Sequence, residues 1–287
     1  MEEREITIMA FGILAHALGK LPLKQLTEKL GKYELDFVQL ALSKAISDID
    51  LGLGKLSPGL ANHIAEQFER NSLRIGVLGC YINPIHPDPV QRRYDIERFK
   101  EHIRFARQFG TSIVATETGD LNTYLTHDSL RYREIGWDIL KATIEELTEE
   151  AEKWGVFIGL EPVYRHTLSS SEKMKQLLEE IPSNHLGVVF DPCNLLDLTN
   201  IGQQDKIIAD AFDNFGERIV LAHLKDVNIS EDSESLQEVQ AGSGQFNITG
   251  FLSKLHQHKP FVDISIEGVN ETNLKDALRY LNSLSYK

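Results

Sequence analysis

The chain has 287 residues, 41% of them hydrophobic, which is enough to bury the core of one large α/β domain. Its 43 acidic residues outnumber 30 basic ones, and the formal net charge of −13 argues against a nucleic-acid-binding surface, because such surfaces need clustered lysine and arginine. Two cysteines outside any CxxC motif, no signal-peptide pattern and no apolar run of about 18 residues together predict a cytoplasmic protein without membrane contact.

Eight short apolar or β-branched segments recur along the chain, and segments with helical spacing lie between them. The eight cover residues 6–13, 35–42, 74–82, 112–117, 156–161, 186–191, 219–224 and 262–267. Near-continuous apolar runs indicate strands that are buried on both faces, and their alternation with helices favours parallel pairing. Eight such strands close a (β/α)8 TIM barrel, a fold that typically takes about 250 residues. We therefore predict an α/β protein in which residues 1–287 form a single barrel domain.

The rival fold is an open, doubly wound sheet. It is disfavoured because the chain has neither a GxGxxG motif after the first strand nor a GxxxxGK[ST] loop. The clearest predicted helix covers residues 89–110, where Ile96, Phe99 and Ile103 mark an apolar stripe and Gly110 is a typical stop signal. The acidic segment SEDSES at 230–235 is predicted to be a solvated loop after the seventh strand.

Ionisable side chains occur at the ends of the last four predicted strands, one in each βα unit. They are Glu161, Asp191, His223 and Glu267. Because the carboxyl ends of barrel strands meet on one face, these side chains should converge. Three carboxylates beside one imidazole repel one another unless a cation neutralises them. The sequence therefore predicts one divalent metal ion; this oxygen-rich ligand set suits Mn²⁺, Mg²⁺ or Co²⁺, also admits Zn²⁺ and does not choose among them, and Mn²⁺ is the ion we expect.

The segments around these four residues read GLEP, FDPCN, AHLKD and SIEG. Taken together they resemble the xylose isomerase-like barrel superfamily of sugar isomerases, ketose 3-epimerases and inosose dehydratases, and the resemblance covers essentially the whole chain. It implies that the four residues hold the metal ion. It also implies that two of them, Glu161 and Glu267, are the catalytic residues that shuttle protons.

Isomerisation or epimerisation beside a carbonyl needs a base, an acid and an electrophile that stabilises the enediolate. A divalent metal ion that binds the substrate's oxygens supplies the electrophile. We therefore expect an isomerase or epimerase of a sugar, polyol or sugar phosphate, which transfers protons through a metal-stabilised enediolate. An inosose-type dehydratase with the same metal site and a non-catalytic ligand-binding relative remain open. An endonuclease IV-type enzyme is disfavoured, since it needs many more histidines and a surface suited to DNA.

The resemblance is incomplete at positions that bind substrate in the ketose 3-epimerases. Those enzymes carry an arginine four residues after the first metal glutamate, which Arg165 matches, but their glutamate two residues later is Thr167 here. Their histidine three residues after the metal aspartate is Asn194, and their arginine six residues after the metal histidine is Ile229. A ketose 3-epimerase is therefore disfavoured, although the predicted metal site is intact.

Several polar residues at or beyond strand ends are candidates for binding a small carbohydrate or polyol. They are His16, His86, Glu117, Arg165, Asn194 and Lys225. Lys225 in particular could steady an anionic substrate or intermediate. The segment AGSGQF at 241–246 could wrap a phosphate, although an ordinary turn is favoured there. Homo-oligomer formation is left open, since no helix face marks an interface.

Overall fold

The computed structural model describes residues 9–119, 129–232 and 234–285, and it has the predicted closed barrel of eight parallel strands. The barrel strands are β1 Phe11–Leu14, β2 Phe37–Leu40, β3 Arg74–Gly79, β4 Ile113–Glu117, β5 Phe157–Glu161, β6 Leu186–Phe190, β7 Ile219–Leu224 and β10 Ile264–Ile266. They lie in the order β1-β10-β7-β6-β5-β4-β3-β2, and β1 closes the barrel by pairing with β10. Each predicted strand is thus present. The range predicted for the first strand includes residues 6–8, which lie outside the described residues.

Helices between the strands cover the outside of the barrel. They are α1 Leu23–Leu30, α2 Leu42–Ala45, α3 Pro58–Glu69, α4 Pro89–Phe105, α5 Ser129–Trp154, α6 Ser171–Glu180, α7 Gln204–Phe215, α8 Ile248–His258 and α9 Leu274–Ser283. The predicted helix at 89–110 is confirmed as α4 followed by a 3-10 turn, and Gly110 ends it with a φ of 83°. None of the described helices is long and apolar enough to span a membrane.

An apolar layer fills the middle of the barrel and fixes which side chains lie above it. Its buried members are Phe37, Val77, Ala115, Val189 and Leu221. Because side chains alternate along a strand, the residue two positions later points into the same interior, one layer nearer the carboxyl ends of the strands. In four of the five strands that residue is polar: Gln39, Glu117, Asp191 and His223. The alternation of side chains therefore places a polar layer at the carboxyl ends of the strands. We call this face the C-terminal rim; it is formed by residues at and just beyond the ends of the barrel strands.

The Phe37 ring needs glycine on both neighbouring strands. A Cβ atom at Gly12 would lie 2.8 Å from a ring carbon of Phe37, and one at Gly76 would lie 2.6 Å from another. Contacts this short do not occur between carbon atoms that are not bonded, so larger residues at either position would displace the ring. The two glycines thus allow a full phenyl ring to support the polar layer from below.

The segment after β7 is more ordered than the sequence suggested. Strands β8 Asp226–Ile229 and β9 Leu236–Val239 form an antiparallel hairpin, and the predicted loop at 230–235 is its turn, with Ser233 outside the described residues. Sequence reasoning missed the hairpin because each strand has four residues, too few for a clear alternation of polar and apolar residues.

The glycine-containing segment at 241–246 folds around a carboxylate of the protein itself. Backbone N–H groups of Gly242, Gly244 and Phe246 donate to the Asp226 carboxylate at 3.2, 2.8 and 2.9 Å. These amides are the donors that a phosphate would have required. The segment is therefore a turn, as favoured from the sequence, and its role is to anchor the base of the hairpin.

Candidate metal and substrate site

The structure brings together the four residues predicted to bind metal, which we call the four-residue cluster: Glu161, Asp191, His223 and Glu267. One candidate ligand atom from each lies within 4.8 Å of those of the other three. Glu161 ends β5, His223 lies in β7, and the remaining two residues directly follow β6 and β10. Asp191 and His223 are fully buried, so their charges depend on one another and on their neighbours rather than on water.

The orientation of His223 is fixed from both sides of its ring. Its Nδ1 lies 3.0 Å from Glu161 Oε1 and 3.2 Å from Glu267 Oε1, whereas its Nε2 lies 2.8 Å from Gln39 Oε1. Since an amide oxygen only accepts hydrogen bonds, Nε2 must carry hydrogen, and Nδ1 faces the carboxylates. Burial opposes the charged imidazole, but the two glutamates outweigh it and raise the pKa of His223 to about 9.

Gln39 and Tyr81 complete this arrangement, and sequence reasoning missed both. Gln39 is 1% exposed, and its Nε2 donates to the Tyr81 hydroxyl oxygen at 3.1 Å. Burial, with the charges of Glu161 and Glu267, holds the pKa of Tyr81 well above its usual range, so its hydroxyl stays protonated. One sequence signal could have identified Gln39, because it is the amide in the near-apolar segment LDFVQLAL.

Lys225 lies beside the four-residue cluster, and its ammonium group is paired with carboxylates of the protein. Its Nζ is 3.0 Å from Asp191 Oδ2, 3.0 Å from Glu267 Oε2 and 3.2 Å from Glu238 Oε2. Burial opposes the ammonium charge, but these carboxylates raise the pKa of Lys225 well above its usual range. Lys225 is therefore a permanent positive charge at the cluster.

The two glutamates of the cluster have different electrostatic environments. Burial raises the pKa of Glu161. Burial also acts to raise the pKa of Glu267, but the charges of His223 and Lys225 outweigh it and lower that pKa to about 2. Two carboxyl groups with such opposite shifts are suited to opposite roles in proton transfer.

The donor set fits a divalent metal ion. Asp191 Oδ1 accepts a hydrogen bond from the Cys193 backbone N–H at 2.9 Å. Its Oδ2 is fully buried and makes no hydrogen bond within the described residues, since the Lys225 contact at 3.0 Å is an ion pair outside hydrogen-bond geometry. A buried carboxylate oxygen without a hydrogen-bond donor needs a cation beside it, and the Lys225 ammonium, 3.0 Å away, is one such cation. Three carboxylates and one imidazole nitrogen match the preferences of Mn²⁺, Mg²⁺, Co²⁺ and Zn²⁺.

Besides Lys225, two of the predicted substrate contacts lie close to the cluster. Asn194 Nδ2 donates to Glu161 Oε1 at 2.7 Å and so holds that carboxylate in place. His16 follows β1 in a 3-10 turn, and its buried Nδ1 has no hydrogen-bond partner among the described residues. Burial and the Lys44 charge lower the pKa of His16, while Glu267 opposes them. His16 thus offers a neutral imidazole at the rim.

The other three predicted contacts lie at the rim without a hydrogen bond or ion pair to the cluster in the described ranges. Glu117 lies opposite Glu161 in the register of the neighbouring strands β4 and β5. Its Oε2 atom lies 3.7 Å from His166 Nε2. His86 Nδ1 accepts from the Asp88 backbone N–H at 3.2 Å, at the start of α4. Arg165 is exposed, with its guanidinium 4.9 Å from the Tyr164 ring centroid. Their roles stay predictions.

The family model described as xylose isomerase-like TIM barrel matches residues 27–284. A curated relative, an uncharacterized protein of Methanocaldococcus jannaschii, is 24% identical over 276 residues, which are 94% of this chain and 86% of the relative. The name of this relative states no activity, but the match shows that the sequence similarity extends over nearly the whole chain.

Three solved structures share the fold at low sequence identity. A D-tagatose 3-epimerase-like protein is 22% identical, with a TM-score of 0.74 and 96% of each chain covered. The 3-keto-D-glucoside 4-epimerase of E. coli is 13% identical, with a TM-score of 0.72, and the match covers 96% of this chain and 100% of the other. The IOLI protein with a bound zinc atom is 19% identical, with a TM-score of 0.71 and coverage of 96% and 95%.

Proposed function

Because this chain belongs to the family of xylose isomerase-like TIM barrels, we propose that it is a divalent-metal-dependent isomerase or epimerase of a sugar, polyol or sugar phosphate. The observation that carries the proposal is the convergence of three carboxylates and one imidazole on the C-terminal rim. That rim is where barrel enzymes place their active sites. Among the similar structures, the 3-keto-D-glucoside 4-epimerase supports the proposed activity, and the IOLI protein with a bound zinc atom supports the proposed metal dependence.

Glu161, Asp191, His223 through Nδ1, and Glu267 would hold the ion, with Mn²⁺ favoured. When bound, the ion would polarise oxygens of the substrate and offset the negative charge that develops on them. Gln39 would keep His223 in the tautomer that exposes Nδ1, since metal-binding histidines depend on such partners.

Proton transfer is assigned to Glu161 and Glu267. Their strands, β5 and β10, are separated by β6 and β7, so the two carboxylates approach the cluster from different sides. Lys225 donates to Glu267 and Asn194 donates to Glu161. Each carboxyl group is thereby held where it would transfer one proton to or from a carbon atom of the substrate. Arrival of the two groups from different sides permits inversion at that carbon as well as a hydrogen shift. Lys225, Asn194, His16, His86, Glu117 and Arg165 are proposed to bind the substrate.

The proposal is tested by hydrogen exchange in D₂O. Full-length protein loaded with Mn²⁺ is incubated with ketoses, inososes and their phosphates, and NMR follows the loss of carbon-bound hydrogen. We expect exchange with at least one compound without loss of water, and no exchange after removal of the metal by a chelator. Exchange with loss of water would instead identify a dehydratase. No exchange in protein shown to hold its metal would contradict an enzyme and favour a ligand-binding relative.

Gln39→Leu is expected to weaken Mn²⁺ binding by about 10- to 100-fold, the usual effect of losing a partner of a metal-binding histidine. Leucine keeps the size of the side chain but cannot accept from His223 Nε2. Gln39→Glu retains an acceptor and should bind Mn²⁺ more tightly than Gln39→Leu. The measurement is a calorimetric titration, and Gln176→Leu on α6, where the amide bonds Glu180, is the matched control. Equal affinity for wild type and Gln39→Leu would remove Gln39 from the site.

A further inference from the structure

A cavity of about 470 Å³ lies among residues that follow β1, β2 and β3, and none of the four cluster residues lines it. Its walls come from Lys20, from the segment 41–52 that follows β2, from Gly79 and Tyr81 at the end of β3, and from α4. A volume of this size is within the range of small-molecule sites, which is roughly 300–1,000 Å³. The cavity is therefore large enough for part of a sugar-sized ligand.

Tyr81 is the shared wall between the cavity and the cluster. Its ring lines the cavity, while its hydroxyl connects through Gln39 to His223. The ammonium group of Lys44 lies 3.9 Å from the centroid of the same ring. Tyr81 therefore lies between the four-residue cluster and Lys44.

Two acidic residues line the cavity, and each is already paired with a cation. Asp95 Oδ1 lies 3.4 Å from an Nη atom of Arg98, which also lines the cavity. Asp50 Oδ2 lies 3.4 Å from Lys55 Nζ. Both carboxylates are therefore balanced without any contribution from the remaining lysines.

Lys20 and Lys44 also line the cavity, and they take no part in these two ion pairs. Neither has a carboxylate within 4.0 Å among residues 9–119, 135–232 and 234–285. His102 also lines the cavity, but burial lowers its pKa to about 4, so it carries no charge at neutral pH. In a chain with a net charge of −13, two unpaired lysines facing one rim cavity point to a negatively charged ligand.

We infer that the substrate carries an anionic group, a phosphate or a carboxylate, which binds in this cavity to Lys44 and Lys20 while its reacting carbon lies at the four-residue cluster. The inference rests on the proposed function for the position of the reacting carbon. The segment at 241–246 does not offer its amides to this anion, because they donate to Asp226. A phosphate dianion matches two ammonium groups better than a carboxylate does, and it is the favoured form.

The test measures binding of inorganic phosphate by calorimetry, with full-length protein loaded with Mn²⁺ and again after chelation. Lys44→Met and Lys20→Met keep the length of the side chain and remove its charge. Each should weaken phosphate binding by about tenfold, the loss expected for one charge-assisted hydrogen bond. Lys24→Met on α1, which removes an exposed lysine paired with Glu28, is the control and should bind as wild type does. Any contribution of the metal is common to all of these proteins.

Four further ligands distinguish the chemical forms of the anion. Phosphate and acetate are compared as free anions, then D-fructose 6-phosphate, D-glucuronate and D-fructose as sugars. Weaker binding of the charged compounds alone in Lys44→Met supports the inference, and the stronger of the two identifies the anion. Equal binding of phosphate by wild type and both lysine variants would overturn it. Because binding requires no turnover, a cavity that binds phosphate in a protein without hydrogen exchange would refute the proposed enzyme while the anion site stands.

Discussion

His223→Ala is expected to lower the affinity for Mn²⁺ by more than about 100-fold, because loss of a direct ligand exceeds the effect of losing a supporting partner. The variant removes the nitrogen ligand of the cluster and leaves Glu161, Asp191 and Glu267 with Lys225 as the nearby cation. Metal content of the purified protein and a calorimetric titration measure the effect. His185→Ala is the control, since that partly buried histidine bonds the Val156 carbonyl at 3.0 Å. Unchanged metal content in His223→Ala would exclude His223 as a ligand.

The wild-type titration should also depend on pH in a predictable direction. The raised pKa of about 9 means that His223 carries a proton on Nδ1 at neutral pH in the metal-free protein. A ligand nitrogen must lose that proton, so metal binding releases it, and the affinity should rise as the pH rises towards 9. Below that value the affinity contributed by His223 falls by up to about tenfold for each pH unit. His223→Ala should lose this part of the pH dependence.

The strands and the four-residue cluster could be predicted from the sequence because both depend on local pattern. Apolar runs mark strands, and a polar residue at the carboxyl end of a parallel strand must lie on the rim. Asp191 and His223 each lie two residues after a member of the interior apolar layer, so the strand period alone points them inward.

The contacts between strands could not be predicted in the same way. Gln39 lies in β2 and meets His223, 184 residues away, through the interior of the barrel. Its position two residues after Phe37 predicts that it points inward, but no local pattern tells which side chain it meets. Asp226 presents the same problem, because its carboxylate binds amides 16 to 20 residues later and thereby takes the donors that suggested a phosphate loop.

The cavity lined by Lys20 and Lys44 illustrates a further limit of sequence reasoning. Charge counts describe a surface as acidic on average, whereas binding depends on which charges remain after ion pairs form. The pairs of Asp50 with Lys55 and of Asp95 with Arg98 leave Lys44 unpaired, and only the folded chain reveals this. An acidic protein can in this way present a cationic pocket to an anionic substrate.

Glu267→Gln is expected to lower turnover by about 100- to 10,000-fold on whichever compound undergoes exchange, which is the usual contribution of a general acid–base group. Glutamine has nearly the same shape, but its amide cannot accept a proton from carbon, and it no longer balances the charge of Lys225. Initial rates are measured at saturating Mn²⁺, so that a weaker metal site does not imitate a chemical defect.

The matched control is Glu238→Gln. Glu238 contacts the same ammonium group, Lys225 Nζ, at 3.2 Å, but its side chain is 48% exposed and lies outside the four-residue cluster. Its substitution should leave the rate within a few-fold of wild type. Loss of activity in Glu267→Gln with full metal content would assign Glu267 to proton transfer, whereas loss of both activity and metal would show that its principal role is that of a ligand. Near-full activity with saturating metal would exclude Glu267 from the chemistry and leave Glu161 to transfer the proton alone, which is incompatible with inversion by two groups from different sides.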